Sequence, residues 1–205
     1  MKDIFDVIAN GNTEDLVDFN THEINQTNKK GITPLMVVSQ KGNFEDYINY
    51  AFIMSGNREI SEIFLQDSSV SIDSTNEKGS YNALSMAVGN NNIEQVKLLI
   101  EYGADSDIFY DDERPVNIAA ARGYKEILCM LVDSGASLEP VVTAGGSIYD
   151  GPLVYAVCSE KSEMVELLVS LGAMVDARHE DNQTALMVAE EKGFADIAEL
   201  LKSLM

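Results

Sequence analysis

The sequence predicts an all-α fold built from stacked pairs of short helices, because one pattern of residues recurs along the 205-residue chain. The pattern is anchored on the apolar residue that ends a turn, as Leu35 ends the turn Thr33-Pro34-Leu35. Equivalent apolar residues follow at spacings of 49, 32, 37 and 33 residues, namely Leu84, Val116, Leu153 and Leu186. A period near 33 residues is typical of repeat proteins in which each unit is one supersecondary motif.

Positions at fixed distances from these anchors indicate two helices in each repeat. Three residues after each anchor stands a small side chain, which lets neighbouring helices approach closely. These residues are Val38, Ala87, Ala119, Ala156 and Ala189. Fourteen and fifteen residues after four of the anchors stand apolar pairs, which are typical of the buried face of a second helix. These pairs are Leu98-Leu99, Met130-Leu131, Leu167-Leu168 and Leu200-Leu201.

A glycine follows three of these second helices, nineteen residues after the anchor. These glycines are Gly103, Gly135 and Gly172, each followed by alanine. We expect each to end its helix in the left-handed conformation, where a residue with a Cβ would be strained.

The turn, the period and these offsets together resemble the ankyrin-repeat family over essentially the whole chain. The resemblance implies a solenoid of stacked helix-turn-helix units with short β-hairpin-like fingers. It also implies that partners bind a concave face, formed by the finger tips and the exposed side of each first helix. The sequence departs from the family where a histidine usually follows the turn leucine, so we expect that loop-to-helix hydrogen bond to be lost throughout. The replacing residues are Met36, Ser85, Asn117, Val154 and Met187.

We expect a single domain over residues 1–205 with about six repeats. It begins with a capping repeat over 1–27, where Thr13 is the predicted N-cap of the second short helix. Repeats follow over 28–74, 75–107, 108–139 and 140–178, and a charged capping repeat over 179–205 closes the array.

Two segments depart from the regular repeat length. An insert at about 43–56 is too apolar for a flexible loop, and it predicts an extra helix or longer flanking helices. It could instead bind a partner or mediate self-association. The finger at 143–150 carries about four extra residues relative to the family repeat length.

The net charge of −20 restricts the class of partner. A field of this sign repels nucleic acid and anionic membranes and attracts basic surfaces, over a Debye length of about 8 Å. The 14 Lys and Arg form no basic stripe that could bind nucleic acid. A role in solubility alone remains the alternative explanation of the acidity.

We expect a cytoplasmic monomer that does not enter a membrane. No apolar run approaches the roughly 20 residues that span a bilayer, and the first residues lack a basic segment followed by an apolar one. Cys129 and Cys158 are expected to be free thiols.

No pattern in the sequence favours catalysis, a cofactor or a metal site. His22 and His179 lie in the first and last predicted repeats, so they cannot share a Ser-His-Asp site in one monomer. The acidic segment 105–113 departs from a calcium loop at Phe109 and Tyr110. Gly145-Gly146-Ser147 lacks the lysine of a P-loop.

The resemblance, carried over by offset, gives a candidate partner-binding surface. Its residues are Lys30, Lys41, Tyr81, Phe109, Tyr110, Asp111, Glu113, Arg122, Ile148, Tyr149, Asp150, Glu180 and Asp181. Lysines gather toward its amino-terminal end and carboxylates toward the other, which predicts salt-sensitive association. The apolar residues on the fingers are either interface anchors or covers for the longer loops.

We therefore expect a non-enzymatic protein-protein interaction module that binds a basic partner through the concave finger/first-helix face. A narrower alternative is a stand-alone inhibitor, such as an immunity protein or antitoxin that neutralises a basic toxin or enzyme. A second alternative is an enzyme or small-ligand binder that uses the irregular insert. It is disfavoured because acid/base chemistry needs convergent groups, and the insert offers only Glu45 and Asp46.

Overall fold

The computed structural model describes residues 82–108, 113–142, 146 and 148–205, together with residues 26, 65 and 72–73. The predicted insert at about 43–56 and the predicted helices of the first capping repeat lie outside these residues. The chain divides into two compact units, Met1–Asp111 and Asp112–Met205.

Among the described residues of the first unit, one helix pair has defined bounds, α1 (Ala83–Gly89) and α2 (Ile93–Glu101). Each helix begins at a buried asparagine whose side chain accepts a backbone N–H of the first turn. Asn82 accepts from Ser85 N at 2.8 Å, and Asn92 accepts from Gln95 N at 3.3 Å. Asparagine is a favoured N-cap because its oxygen satisfies an N–H that the helix leaves unpaired.

The second unit contains three helix pairs. They are α3 (Pro115–Arg122) with α4 (Lys125–Asp133), α5 (Pro152–Cys158) with α6 (Ser162–Ser170), and α7 (Ala185–Lys192) with α8 (Ala195–Leu204). The first helices pack in sequence, α3 on α5 and α5 on α7, and α6 packs on α8. An antiparallel hairpin of β1 (Val141–Val142) and β2 (Ile148–Tyr149) precedes α5, and a 3-10 turn (Glu180–Asn182) precedes α7. The predicted all-α repeat fold is confirmed.

The core follows the predicted offsets. Ala119, Ala156 and Ala189 are completely buried where the first helices meet. Of each apolar pair on α4, α6 and α8, the second residue is completely buried and the first is half-buried. The second helices therefore bury one narrow apolar stripe, as a 3.6-residue period requires.

The predicted glycine helix ends are also confirmed. Gly103, Gly135 and Gly172 have φ angles of 88, 109 and 103°. In each repeat the alanine that follows donates its N–H to the carbonyl of the buried leucine five residues earlier, at 2.9 to 3.0 Å. This bond satisfies a carbonyl that the end of a helix would leave unpaired.

The connector 137–140, which joins α4 to the hairpin, is held by a buried arginine. Arg114 is 1% exposed, and its guanidinium donates to Ser137 O at 3.1 Å and to Glu139 O at 2.6 Å. Arg114 directly precedes α3, at the position where Asn82 and Thr184 cap the equivalent helices. A guanidinium presents several donors in a fixed plane, so one side chain can bind both carbonyls.

Gly151 approaches the same connector from the start of α5. A Cβ at this position would lie 3.1 Å from Leu138 O and 3.1 Å from Pro140 N, both of which are backbone atoms. The connector thus lies between Arg114 and Gly151, and it fixes where the hairpin leaves the helical stack.

We expect Gly151→Ala to lower the free energy of unfolding by about 1 to 3 kcal/mol, because the added methyl group meets backbone that must shift. Urea denaturation followed by circular dichroism measures this change. Gly89→Ala is the matched control, since a Cβ there meets nothing within 4 Å. That control should leave stability unchanged or raise it by up to about 1 kcal/mol. Equal effects of the two substitutions would contradict the close approach at Gly151.

We expect Arg114→Met to lower the free energy of unfolding by about 2 to 4 kcal/mol, because two half-buried carbonyls lose hydrogen bonds from a charged donor. Arg114→Lys should lie between the variant and the wild type, since one ammonium cannot reproduce the planar fork. The control Arg122→Met changes an exposed arginine and should alter stability by no more than about 0.5 kcal/mol. A wild-type urea midpoint for Arg114→Met would show that the arginine does not hold the connector.

Candidate protein-binding face

The described side chains of the predicted surface all lie in the second unit. They are Glu113, Arg122, Ile148, Tyr149, Asp150 and Asp181. Six other predicted residues lie outside the described part of the chain, namely Lys30, Lys41, Tyr81, Phe109, Tyr110 and Asp111. Glu180 begins the 3-10 turn before α7, and only its backbone is described. We call the hairpin together with the exposed side of α3, α5 and α7 the finger/first-helix face.

The hairpin presents apolar side chains to solvent. Val141 pairs with Tyr149 and Val142 with Ile148, so each cross-strand pair shares one side of the hairpin. Val142 is 67% exposed, and the other three residues are half-buried. Ile148 and Tyr149 therefore cover part of the finger and also keep part of their own surface accessible.

Val142 is not among the residues that the sequence predicts for this surface. The available signal was the pair Val141-Val142 opposite Ile148-Tyr149, separated by a segment with two glycines.

Asp150 ends the finger, and a hydrogen bond from the preceding repeat holds its backbone. Asn117 Nδ2 on α3 donates to Asp150 O at 3.2 Å. The prediction that the loop-to-helix bond is lost throughout is therefore wrong at Asn117. The reason is that an asparagine amide supplies a donor at the helix position where the family usually has histidine.

The carboxylate of Asp150 lies beside His179, a buried residue that the sequence analysis considered only as a catalytic partner. Asp150 Oδ1 is 3.6 Å from His179 Nδ1, and the Gly151 N–H donates to the same nitrogen at 3.2 Å. Burial lowers the pKa of His179, and the negative charge of Asp150 acts in the opposite direction. No repeated sequence pattern marks His179, because the anchor offset that it occupies holds no second histidine.

Charged groups of the finger and of α7 lie near the end of α5. Cys158 is exposed near the end of α5, and the partial burial of its sulfur raises its pKa. The charges of Lys192 on α7 and Asp150 also act on this thiol, in opposite directions, so both lie within electrostatic reach of it. On α7 the carboxylate of Glu191 accepts from Gln183 Nε2 at 2.7 Å. The predicted face thus combines a carboxylate-rich rim with an apolar finger.

Several cations of the second unit are already engaged within it. Lys125 on α4 pairs with Glu163 on α6, and this bond and charge lower the pKa of Glu163. Lys202 on α8 pairs with Glu190 on α7 at 2.6 Å. Arg178 donates to Asn182 O at 2.8 Å. These contacts hold three positive side chains against other groups of the second unit.

The remaining features of the described residues are open cavities and free thiols. The cavities at the turns between first and second helices are open, and one of about 420 Å³ is lined by Arg122, Lys125 and Glu163 among others. Within the described ranges, no group of three or more His, Cys, Asp or Glu could hold a metal ion. The helices described are all too short or too polar to cross a membrane. Cys129 and Cys158 are free thiols.

Comparison with known proteins supports the same fold. The sequence matches the family described as "Ankyrin repeats (3 copies)" over residues 48–141 and 144–204. It is 35% identical to the fowlpox virus (strain NVSL) ankyrin repeat protein FPV014 over 85 residues, which are 42% of this chain and 19% of that protein. It is 33% identical to a second such protein, FPV022, over 120 residues, or 58% of this chain and 19% of that protein.

A nematode relative matches a smaller share of a longer chain. The Caenorhabditis elegans "Ankyrin repeat and KH domain-containing protein mask-1" is 28% identical over 128 residues, which are 59% of this chain and 5% of that protein. The chain therefore spans about one fifth or less of the length of these relatives. Because the family match covers most of the sequence and coincides with the observed helix pairs, this chain belongs to the ankyrin-repeat family.

Proposed function

We propose that this protein binds a partner protein with a basic surface through its finger/first-helix face. Ankyrin repeats are in general protein-protein interaction modules, which supports the class of function. The observation that carries the choice of surface is the hairpin, whose paired strand residues are apolar and in which Val142 is 67% exposed. Exposed apolar residues ringed by polar groups are the usual energetic anchors of an interface.

Charge supports a basic partner. Asp and Glu number 34 against 14 Lys and Arg, and Glu113, Asp181 and Glu191 are exposed around the face. Complementary charge accelerates association and orients the partner on approach. Nucleic acid and anionic membranes carry charge of the same sign as this protein, so they are not the expected partners.

The proposal includes a non-enzymatic, monomeric protein in the cytoplasm. A narrower form is an inhibitor that neutralises a basic toxin or enzyme, for which the support is the net charge of −20. Whether the protein is such an inhibitor or a binding module of another kind depends on the identity of its partner.

Binding is tested by capture from a native lysate, followed by an affinity measurement with the captured protein. We expect Val142→Lys to weaken binding about tenfold or more, equivalent to about 1.4 kcal/mol, because it places a charge at the apolar anchor. The matched control is Leu204→Lys, which changes an exposed apolar residue on α8. Equal affinities of the two variants would remove the finger from the interface.

The charge component is tested with two double variants of equal net charge. Glu113→Lys with Glu191→Lys alters the face, whereas Glu166→Lys with Glu199→Lys alters exposed positions on the second helices α6 and α8. We expect only the first pair to slow association and to reduce its salt dependence, because rim charges act mainly on the association rate. The same loss in both pairs would indicate a response to net charge and not to this face.

A further inference from the structure

The junction between the last two repeats contains a titratable group with two competing hydrogen-bonding demands. His179 is 2% exposed and lies directly before the 3-10 turn that leads to α7. Its Nδ1 accepts the Gly151 N–H at 3.2 Å, and Asp150 Oδ1 lies 3.6 Å from the same nitrogen. One ring nitrogen therefore faces both a backbone donor and a carboxylate acceptor.

The two contacts require different protonation states. A neutral imidazole can accept the Gly151 N–H at Nδ1 only if its proton is on Nε2. A protonated imidazole carries hydrogen on both nitrogens, so it cannot accept from Gly151 and would instead donate to Asp150. The hydrogen bond to Gly151 thus exists in the neutral form alone.

Contacts on both sides restrain the backbone at Gly151. Gly151 is the residue before α5, and it lies against the backbone of residues 138–140. The preceding carbonyl, Asp150 O, is held by Asn117. Loss of the bond to His179 would leave the Gly151 N–H unpaired in a buried position, which is costly.

Burial, and not the charge of the neighbouring groups, favours the neutral form of His179. Asp150 is the one described charged side chain within ion-pair distance of the ring. The side chain of Glu139, in the connector, accepts the Met174 N–H through Oε1, and Arg178, the residue before His179, donates to Asn182 O. Lys192 on α7 acts on Cys158. Burial lowers the pKa of His179 more than Asp150 raises it.

We propose that His179 is a pH-sensitive latch, which holds the start of α5 through the Gly151 N–H when neutral and releases it for Asp150 when protonated. Release would remove one hydrogen bond between the last repeat and the fifth, while the packing of α5 on α7 and of α6 on α8 remains, and the Asp150 carboxylate would accept a hydrogen bond from the ring. Asp150 would then be less accessible to a partner, and this consequence rests on the proposed function. The latch itself does not depend on the proposed function.

The sign of the stability change follows from the direction of the shift. The pKa of His179 lies below its ordinary value of 6.5, so the unfolded chain binds more protons than the folded protein as the pH falls below that value. The contribution of the latch is therefore fully present above 6.5 and is lost as the pH falls through the lower folded pKa.

The direct test is amide hydrogen exchange of the full chain, measured by NMR between about pH 7 and about pH 5 and corrected for intrinsic rates. We expect the protection of the Gly151 amide to fall about tenfold or more over this range. The Ala136 amide, which donates to Leu131 O at 2.9 Å, is the internal control and should keep its protection. Constant protection of Gly151 while His179 titrates would overturn the latch.

Variants separate this histidine from other titrating groups. His179→Gln keeps a side-chain acceptor without a titration near neutral pH, so it should remove the pH dependence of Gly151 protection, whereas His22→Gln should preserve it. If His179→Gln does not fold, Asp150→Asn provides the second test. Removing that carboxylate should shift both the His179 titration and the loss of protection to lower pH. An unchanged or higher transition in Asp150→Asn would contradict the proposed exchange of partners.

None of these measurements uses a binding partner, so the latch and the proposed function can fail independently. A protein that binds through its finger but has a pH-independent Gly151 amide would retain the binding face and lose the latch. The reverse result would retain the latch and lose the binding face.

Discussion

The contacts that hold connector 137–140 are the constraint on which the structure of the second unit depends. Arg114 supplies two donors to its carbonyls from one side, and Gly151 leaves room for its backbone from the other. A buried guanidinium is stable only where its donors find acceptors, so the connector and the arginine specify each other's positions. The hairpin follows directly, because β1 begins one residue after the connector.

Other contacts between repeats follow the same principle, in which a side chain of one repeat satisfies a backbone group of the next. Glu139 accepts the Met174 N–H at 3.1 Å, and Asn117 donates to Asp150 O. In the first unit, Asp73 accepts the Asp105 N–H at 3.1 Å, and burial raises the pKa of this carboxyl. Such bonds fix the register of neighbouring repeats, whereas the alanine contacts of the first helices are compatible with small slides.

Contacts of positive side chains within the second unit also affect which charges its surface carries. Arg114 is buried, and Lys125 and Lys202 form ion pairs with carboxylates, so these three positive side chains make their contacts within the second unit. The finger/first-helix face therefore carries exposed carboxylates around an apolar finger, together with the exposed Arg122 and Lys192. The same junction places His179 against Asp150, which couples the internal hydrogen bonds to a residue of the proposed binding face.

The sequence by itself determined the repeat fold, because helix periodicity and glycine helix ends are local properties. The alanines three residues after the anchors are buried, and Gly135 and Gly172 have left-handed angles. Only the tertiary structure decided the polar contacts, because their partners are distant in the sequence. The residues that each contact joins are 23 to 33 positions apart, as in Arg114–Ser137, Gly151–His179 and Asn117–Asp150. Burial also differs at equivalent positions: the anchors Val116 and Leu153 are buried, whereas Leu186 is half-buried. A local pattern shows which face of a helix is apolar, but the neighbouring repeat decides which groups on that face find partners.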